Sequence, residues 1–121
     1  MELSGPARRL TILVGEQDRV GHHSLTSEIV HRAHAAGVAG VTVFRGVEGY
    51  GRSNHIHTTR ILSLSDDLPM CVVIVDSAPA IDAFVNQILE LVEGGLVIVE
   101  DVEVLRYVRH PEDARGGEPQ G

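Results

Sequence analysis

Proteins hold small anions with guanidinium forks and with backbone N–H groups that no neighbouring Cβ shields, and one stretch of this chain supplies both. It runs Thr42-Val43-Phe44-Arg45-Gly46-Val47-Glu48-Gly49-Tyr50-Gly51-Arg52 and continues into Ser53-Asn54-His55-Ile56-His57. β-Branched alternation gives way to a glycine-punctuated cationic loop, so a strand delivers a segment suited to an anionic ligand or a protein partner. The plain alternative is that Gly49 and Gly51 shape a turn and Arg52 is solvated.

Other residue groupings offer less chemistry. His55 and His57 stand two apart, which on a strand puts both imidazoles on one face, and His22-His23 or His31 with His34 could add ligands. A metal site needs three or four converging groups, so these histidines read better as loop contacts to a ligand or partner, and no metal is expected. Asp66-Asp67 and Glu100-Asp101 are carboxylate pairs, but adjacent strand residues face opposite ways, so Glu100 and Asp101 cannot form a dyad. No serine stands in a nucleophile context, and catalysis is not expected. Arg45 and Arg60 read as cross-strand partners of Glu48, Glu100 or Glu103.

Composition bounds the class. A chain of 121 residues makes one domain, expected over residues 1–109, with a flexible polar tail at 110–121. All positive charge is arginine, and the formal charge of -7 argues against general binding to nucleic acid or anionic membrane. Protonating all seven histidines would bring that charge to zero, so solubility or assembly is expected to change below about pH 6.5. Cys71 is the single cysteine, which excludes an internal disulfide and reads as a buried strand thiol. No run approaches the roughly 18 apolar residues of a membrane span, and a cytoplasmic protein is expected.

The elements that must position the loop follow from periodicity. After a short polar leader, Leu10 to Val14 is a strand, broken by Gly15-Glu16-Gln17-Asp18-Arg19, with a loop to Gly21. Ser24 caps a helix to about Ala36, with Leu25, Ile29, Val30, Ala33 and Ala36 on one face and Gly37 as the stop. Residues 41–47 form the second strand, and 58–64 are again β-rich. Met70 to Val75 has the unbroken apolar character of a central strand. Asp76 or Ser77 starts a second helix striped by Ile81, Phe84, Val85, Ile88, Leu89 and Val92, which Gly94-Gly95 ends. A last strand runs from Leu96 through Leu105 to Arg106. Strand, helix, strand, strand, helix, strand is an α+β, ferredoxin-like βαββαβ order, an antiparallel sheet with both helices on one face. The uncovered face calls for self-association.

Residues 36–106 resemble the PII signalling superfamily, and in particular its uncharacterised PII-like branch of small bacterial proteins. The resemblance rests on Ala36-Gly37-Val38-Ala39-Gly40-Val41-Thr42-Val43, on Gly49-Tyr50-Gly51-Arg52, on Leu64-Ser65-Asp66-Asp67-Leu68-Pro69 and on Val99-Glu100-Asp101-Val102-Glu103. It implies a homotrimer binding an adenine nucleotide (ADP, AMP or ATP) in inter-subunit clefts, with the loop at about 52–67 docking on a transporter or enzyme. By position, Thr42 would line the base pocket, Gly49, Gly51 and Arg52 would approach the phosphates, and Gly94 and Gly95 would form the second phosphate-side turn. Arg106 and Arg109 lie near that family's C-terminal arginines. Here no lysine accompanies Gly94-Gly95, so a diphosphate, a monophosphate or another small anion suits the chain as well as a triphosphate. The long loop has no tyrosine between Ser53 and Pro69 to accept a modification. Two other functions compete: a nucleotide-independent adaptor trimer, and a metal-dependent sensor or enzyme built on His55 and His57.

Overall fold

Two runs of unbroken aliphatic sequence, Leu10 to Val14 and Met70 to Val75, make the centre of an antiparallel sheet in the computed structural model, which describes residues 2–50, 57–58 and 67–108. The strands are β1 (Glu2–Gly15), β2 (Arg19–Val20), β3 (His23–Ser24), β4 (Val41–Arg45), β5 (Glu48–Gly49), β6 (His57–Thr58), β7 (Pro69–Asp76) and β8 (Leu96–Val108). Helix α1 (Leu25–Ala36) follows β3, and α2 (Ala78–Leu91) joins β7 to β8. The main sheet has the order β4-β7-β1-β8, while β2-β3 and β5-β6 pair as small separate ribbons. Without those ribbons the frame is βαββαβ, the ferredoxin-like order expected from the periodicity.

Local chemistry sets the helix limits. The Ser24 hydroxyl accepts the Ser27 N–H at 3.0 Å, and Gly37, at φ 75°, closes α1 as Val38 N–H donates to the Ala33 carbonyl. Ser77 caps α2 by accepting the Ala80 N–H at 3.3 Å. Such caps contribute about 1 kcal/mol each. Both helices lie on one side of the sheet, where Leu10, Ile12, Val72 and Ile74 meet Ile29, Ala33, Ile81, Phe84 and Ile88 in a fully buried core. Each large aliphatic side chain so buried stabilises the fold by roughly 1.5–3 kcal/mol. Asp76 is the one buried charged residue among those described, and its carboxylate accepts N–H groups from Ala39 at 2.8 Å and Ser77 at 2.7 Å.

Several expectations are corrected. The polar leader is strand: residues 2–7 of β1 continue to pair with β8 beyond the end of β7, where β1 has one neighbour and Pro6 is tolerated. A register shift between Leu3 and Gly5 bends this two-stranded extension, and the Tyr107 hydroxyl donates to the Ala39 carbonyl at 3.0 Å. The expected loop before α1 contains the β2–β3 hairpin, which turns through Gly21 at φ 60°. The second strand stops at Arg45, and Glu48–Gly49 pair instead with His57–Thr58. Arg45 bonds Glu16 at 2.9 Å and Glu100 bonds Arg9 at 2.7 Å, in place of the pairs expected across strands. Cys71 is half-buried. Residues 59–64 of the β-rich stretch, Arg60 and the tail at 110–121 lie outside the described residues.

Candidate functional site

Strand direction gathers one set of chain ends at one end of the sheet. β1 and β4 finish there at Gly15 and Arg45, and β7 and β8 begin there at Pro69 and Leu96. The residues before and after segment 51–66 also lie at this end, Gly49 against Pro69.

Of the candidate ligand residues, Thr42 is exposed on β4 opposite Val73, and Gly49 is half-buried on β5. A Cβ on Gly49 would stand 3.2 Å from Pro69 Cγ, so this glycine has a packing role whatever it binds. Gly94 borders a cavity, and Gly95, at φ 147°, lies so close to β1 that a Cβ would meet the Leu13 carbonyl oxygen at 2.5 Å. Arg106 is exposed on β8. Gly51, Arg52, Arg109 and His55 lie outside the described residues, as does the side chain of His57.

One chain does not bring the described ones together. Thr42 and Gly49 belong to the β4 edge and Gly94-Gly95 to the β8 edge, three strand spacings or roughly 14 Å apart. Arg106 is eleven positions along β8 from Gly95, roughly 35 Å at extended-strand rise. Any pocket using all of them takes different parts from different copies of the chain.

Electrostatics separates the available surfaces. A cavity of about 340 Å3 opens between the β2–β3 hairpin, the start of α1 and the end of α2, with Asp18, Arg19, Leu25, Glu90, Glu93 and Gly94 in its wall. Three carboxylates face one guanidinium there, and the last turn of α2 has no basic residue to offset its carbonyl end, so phosphate is disfavoured. At the β4 end, Arg45 is neutralised by a two-point pair with Glu16, through Nε at 2.9 Å and Nη2 at 3.2 Å. No group of three metal-ligating side chains converges among the described residues, and no helix among them is long and apolar enough to cross a membrane.

The sequence reading missed the hydrogen-bonded junction of Gly15 to Gln17 with Asp67 to Pro69, whose only sequence signal is a pair of turn-forming stretches. The open sheet face was expected from the two helices covering one side. Register places Thr11, Leu13, Thr42, Phe44, Cys71, Val73, Leu96 and Ile98 on it, around the Arg9–Glu100 ion pair. Phe44 is 57% exposed, Leu96 49%, Ile98 40% and Leu13 36%. Burial of such a surface drives association.

The profile of the family DUF190, described as "Uncharacterized ACR, COG1993", matches residues 7–104. A UPF0166 protein of Aquifex aeolicus is 32% identical over 96 residues, covering 79% of this chain and 90% of the relative. A second UPF0166 protein, from Methanocaldococcus jannaschii, is 28% identical over 101 residues, covering 83% and 93%. Among solved structures, CPII, a nitrogen regulatory PII-like protein from Thiomonas intermedia K12 bound to ADP, AMP and bicarbonate, superposes with a TM-score of 0.60 at 17% identity, covering 86% of this chain and 91% of that one. CutA from Synechococcus elongatus complexed with Bis-Tris gives 0.56 at 11% identity, covering 93% and 94%. Likeness at these identities establishes a shared PII-like, ferredoxin-like fold.

Proposed function

The chain belongs to the DUF190 family, and from that premise we propose that it is a PII-like regulatory protein, a homotrimer that binds an adenine nucleotide between subunits and signals through the loop at about 52–67. The observation that carries this reading is the division of the candidate ligand residues between opposite edges of a sheet whose uncovered face is apolar. Joining copies by that face hides the apolar surface and lets the β4 edge of one subunit approach β8 of the next. A site made in this way exists only in the assembly, so ligand affinity and subunit contact are linked.

Thr42 contributes at the base, Gly49, Gly51 and Arg52 at the phosphates, Gly94 and Gly95 at the facing turn, and Arg106 and Arg109 from the C-terminal side. With Arg45 held by Glu16, Arg52 is the cation on which phosphate recognition depends. The chain has no lysine, so ADP or AMP is favoured over ATP, consistent with the nucleotides bound to CPII. The protein performs no chemistry on its ligand. Its output is a shift between loop states of different nucleotide affinity, read by a transporter or enzyme.

Calorimetric titration of nucleotide-free protein with AMP, ADP and ATP tests this reading, repeated with Arg52→Ala. Saturable ADP or AMP binding, weakened at least tenfold in the variant, supports it; such a loss corresponds to about 1.4 kcal/mol. Absence of binding to all three removes the nucleotide and leaves an adaptor that docks without one.

A further inference from the structure

The residues flanking segment 51–66 on both sides are held by short hydrogen bonds. On the entry side, Gly46 N–H donates to the Pro69 carbonyl at 2.7 Å, and a Cβ on Gly46 would stand 2.5 Å from Pro69 Cγ. On the exit side, Glu16 N–H donates to the Leu68 carbonyl at 2.8 Å, and Gln17 N–H donates to the Asp67 carboxylate at 2.7 Å. Gly15 completes the junction. The three nearest atoms to a Cβ built there all belong to the Asp67 carboxyl group, including Oδ1 at 2.7 Å and Cγ at 2.8 Å. Gly15 is not among the glycines with positive φ, so its backbone admits any residue, and the nearest obstacle to a side chain is that carboxyl group.

We propose that Gly15 and Asp67 form a seat that makes the turn after β1 and both roots of segment 51–66 one mechanical unit, with Asp67 as the positioning residue. A carboxylate accepting a backbone N–H makes a charge-assisted bond, stronger than the neutral bonds beside it. The seat also reaches the cavity wall: Gly15 N–H donates to Asp18 Oδ2 at 3.0 Å, and Asp18 lines the cavity between α1 and α2. A disturbance there is passed to the loop roots through the four residues Gly15 to Asp18.

The seat predicts a non-additive pair of mutations. Gly15→Ala displaces the carboxylate, and Asp67→Ala removes it. Each single change should raise amide exchange at Gln17 roughly ten- to a hundredfold, the loss expected for one hydrogen bond to a charged group. The rise should extend to the Gly46 N–H, which neither substitution touches. In the Asp67→Ala background, Gly15→Ala should change exchange by less than about twofold, because the methyl group then has room. Asp67→Asn keeps an acceptor oxygen and should retain most of the protection. Site-resolved hydrogen exchange of the four variants, with thermal unfolding to confirm that each is folded, makes the test without any nucleotide, so failure of the seat is distinguishable from failure of the nucleotide reading. Full additivity of the two changes, or a response at Gln17 with none at Gly46, overturns the proposal.

Discussion

Arg8 and Arg9 are neighbours on β1 that point to opposite faces of one sheet, and what each meets distinguishes those faces. Arg8 turns to the helix side and bonds Asp82 of α2 at 2.5 Å and Asp101 of β8 at 3.1 Å, so one guanidinium ties both layers together. The hydrogen bond that Arg8 donates to Asp82, then the one it donates to Asp101, makes it hold its proton more firmly than a free arginine. Arg9 turns to the open side and, among the described residues, pairs with Glu100 alone, through Nε at 2.9 Å and Nη2 at 2.7 Å. The helix side buries its core within the chain, leaving Val99 on β8 42% exposed at its margin. On the open side the charge is paired while the aliphatic residues around it are left partly in water, as on a surface completed by a second copy.

The contrast breaks most severely at Phe84. It is 2% exposed on the buried side of α2, and Phe84→Ala should cost about 3–5 kcal/mol, much of the stability of a domain this size, read from the urea midpoint. An equally drastic change on the other face should act differently. Ile98→Asp puts a charge among the open-face aliphatics, so its far-ultraviolet dichroism and unfolding midpoint should stay near wild type at low concentration, while sedimentation equilibrium shows loss of the oligomer. Unfolding of Ile98→Asp, or an unchanged mass, would erase the distinction between the faces.

The smallest effect lies on the solvent side of the helix layer. The Glu28 carboxyl is held below the usual carboxylate range, first by its hydrogen bond from Arg32 at 2.8 Å and then by the charges of Arg32, His23 and His31. A carboxyl depressed in the folded state contributes stability above its unfolded value, near 4.5, and loses it as pH falls through the folded value. Glu28→Gln should therefore be slightly less stable than wild type at pH 7, with the difference closing below about pH 4. Parallel melting curves at both pH values check the sign.

What could be read from the sequence followed how locally each feature is determined. The stops of α1 depend on Ser24 and Gly37 themselves, and the central strand on its own aliphatic run, so both were legible. The strand character of residues 2–7 was not, because Gly5, Pro6 and the charges around them give no alternation. They are extended because residues 102–108, far along the chain, pair with them. The glycines were legible as a group but not by cause: Gly49 is pressed on Pro69, Gly95 on the Leu13 carbonyl and Gly15 on Asp67. Those neighbours are set by the tertiary fold. The candidate ligand residues were reached by resemblance, and the geometry adds that one chain keeps Thr42 and Gly49 apart from Gly94, Gly95 and Arg106.

The tether from Tyr107 to Ala39 gives the chain an optical property. There is no tryptophan, so near-ultraviolet absorption and emission come chiefly from two tyrosines. One is hydrogen-bonded to a backbone carbonyl at the far end of the sheet, and the other, Tyr50, is 65% exposed beside segment 51–66. Replacing either with phenylalanine leaves a single emitter, turning the unlabelled protein into a reporter on one end of the sheet at a time.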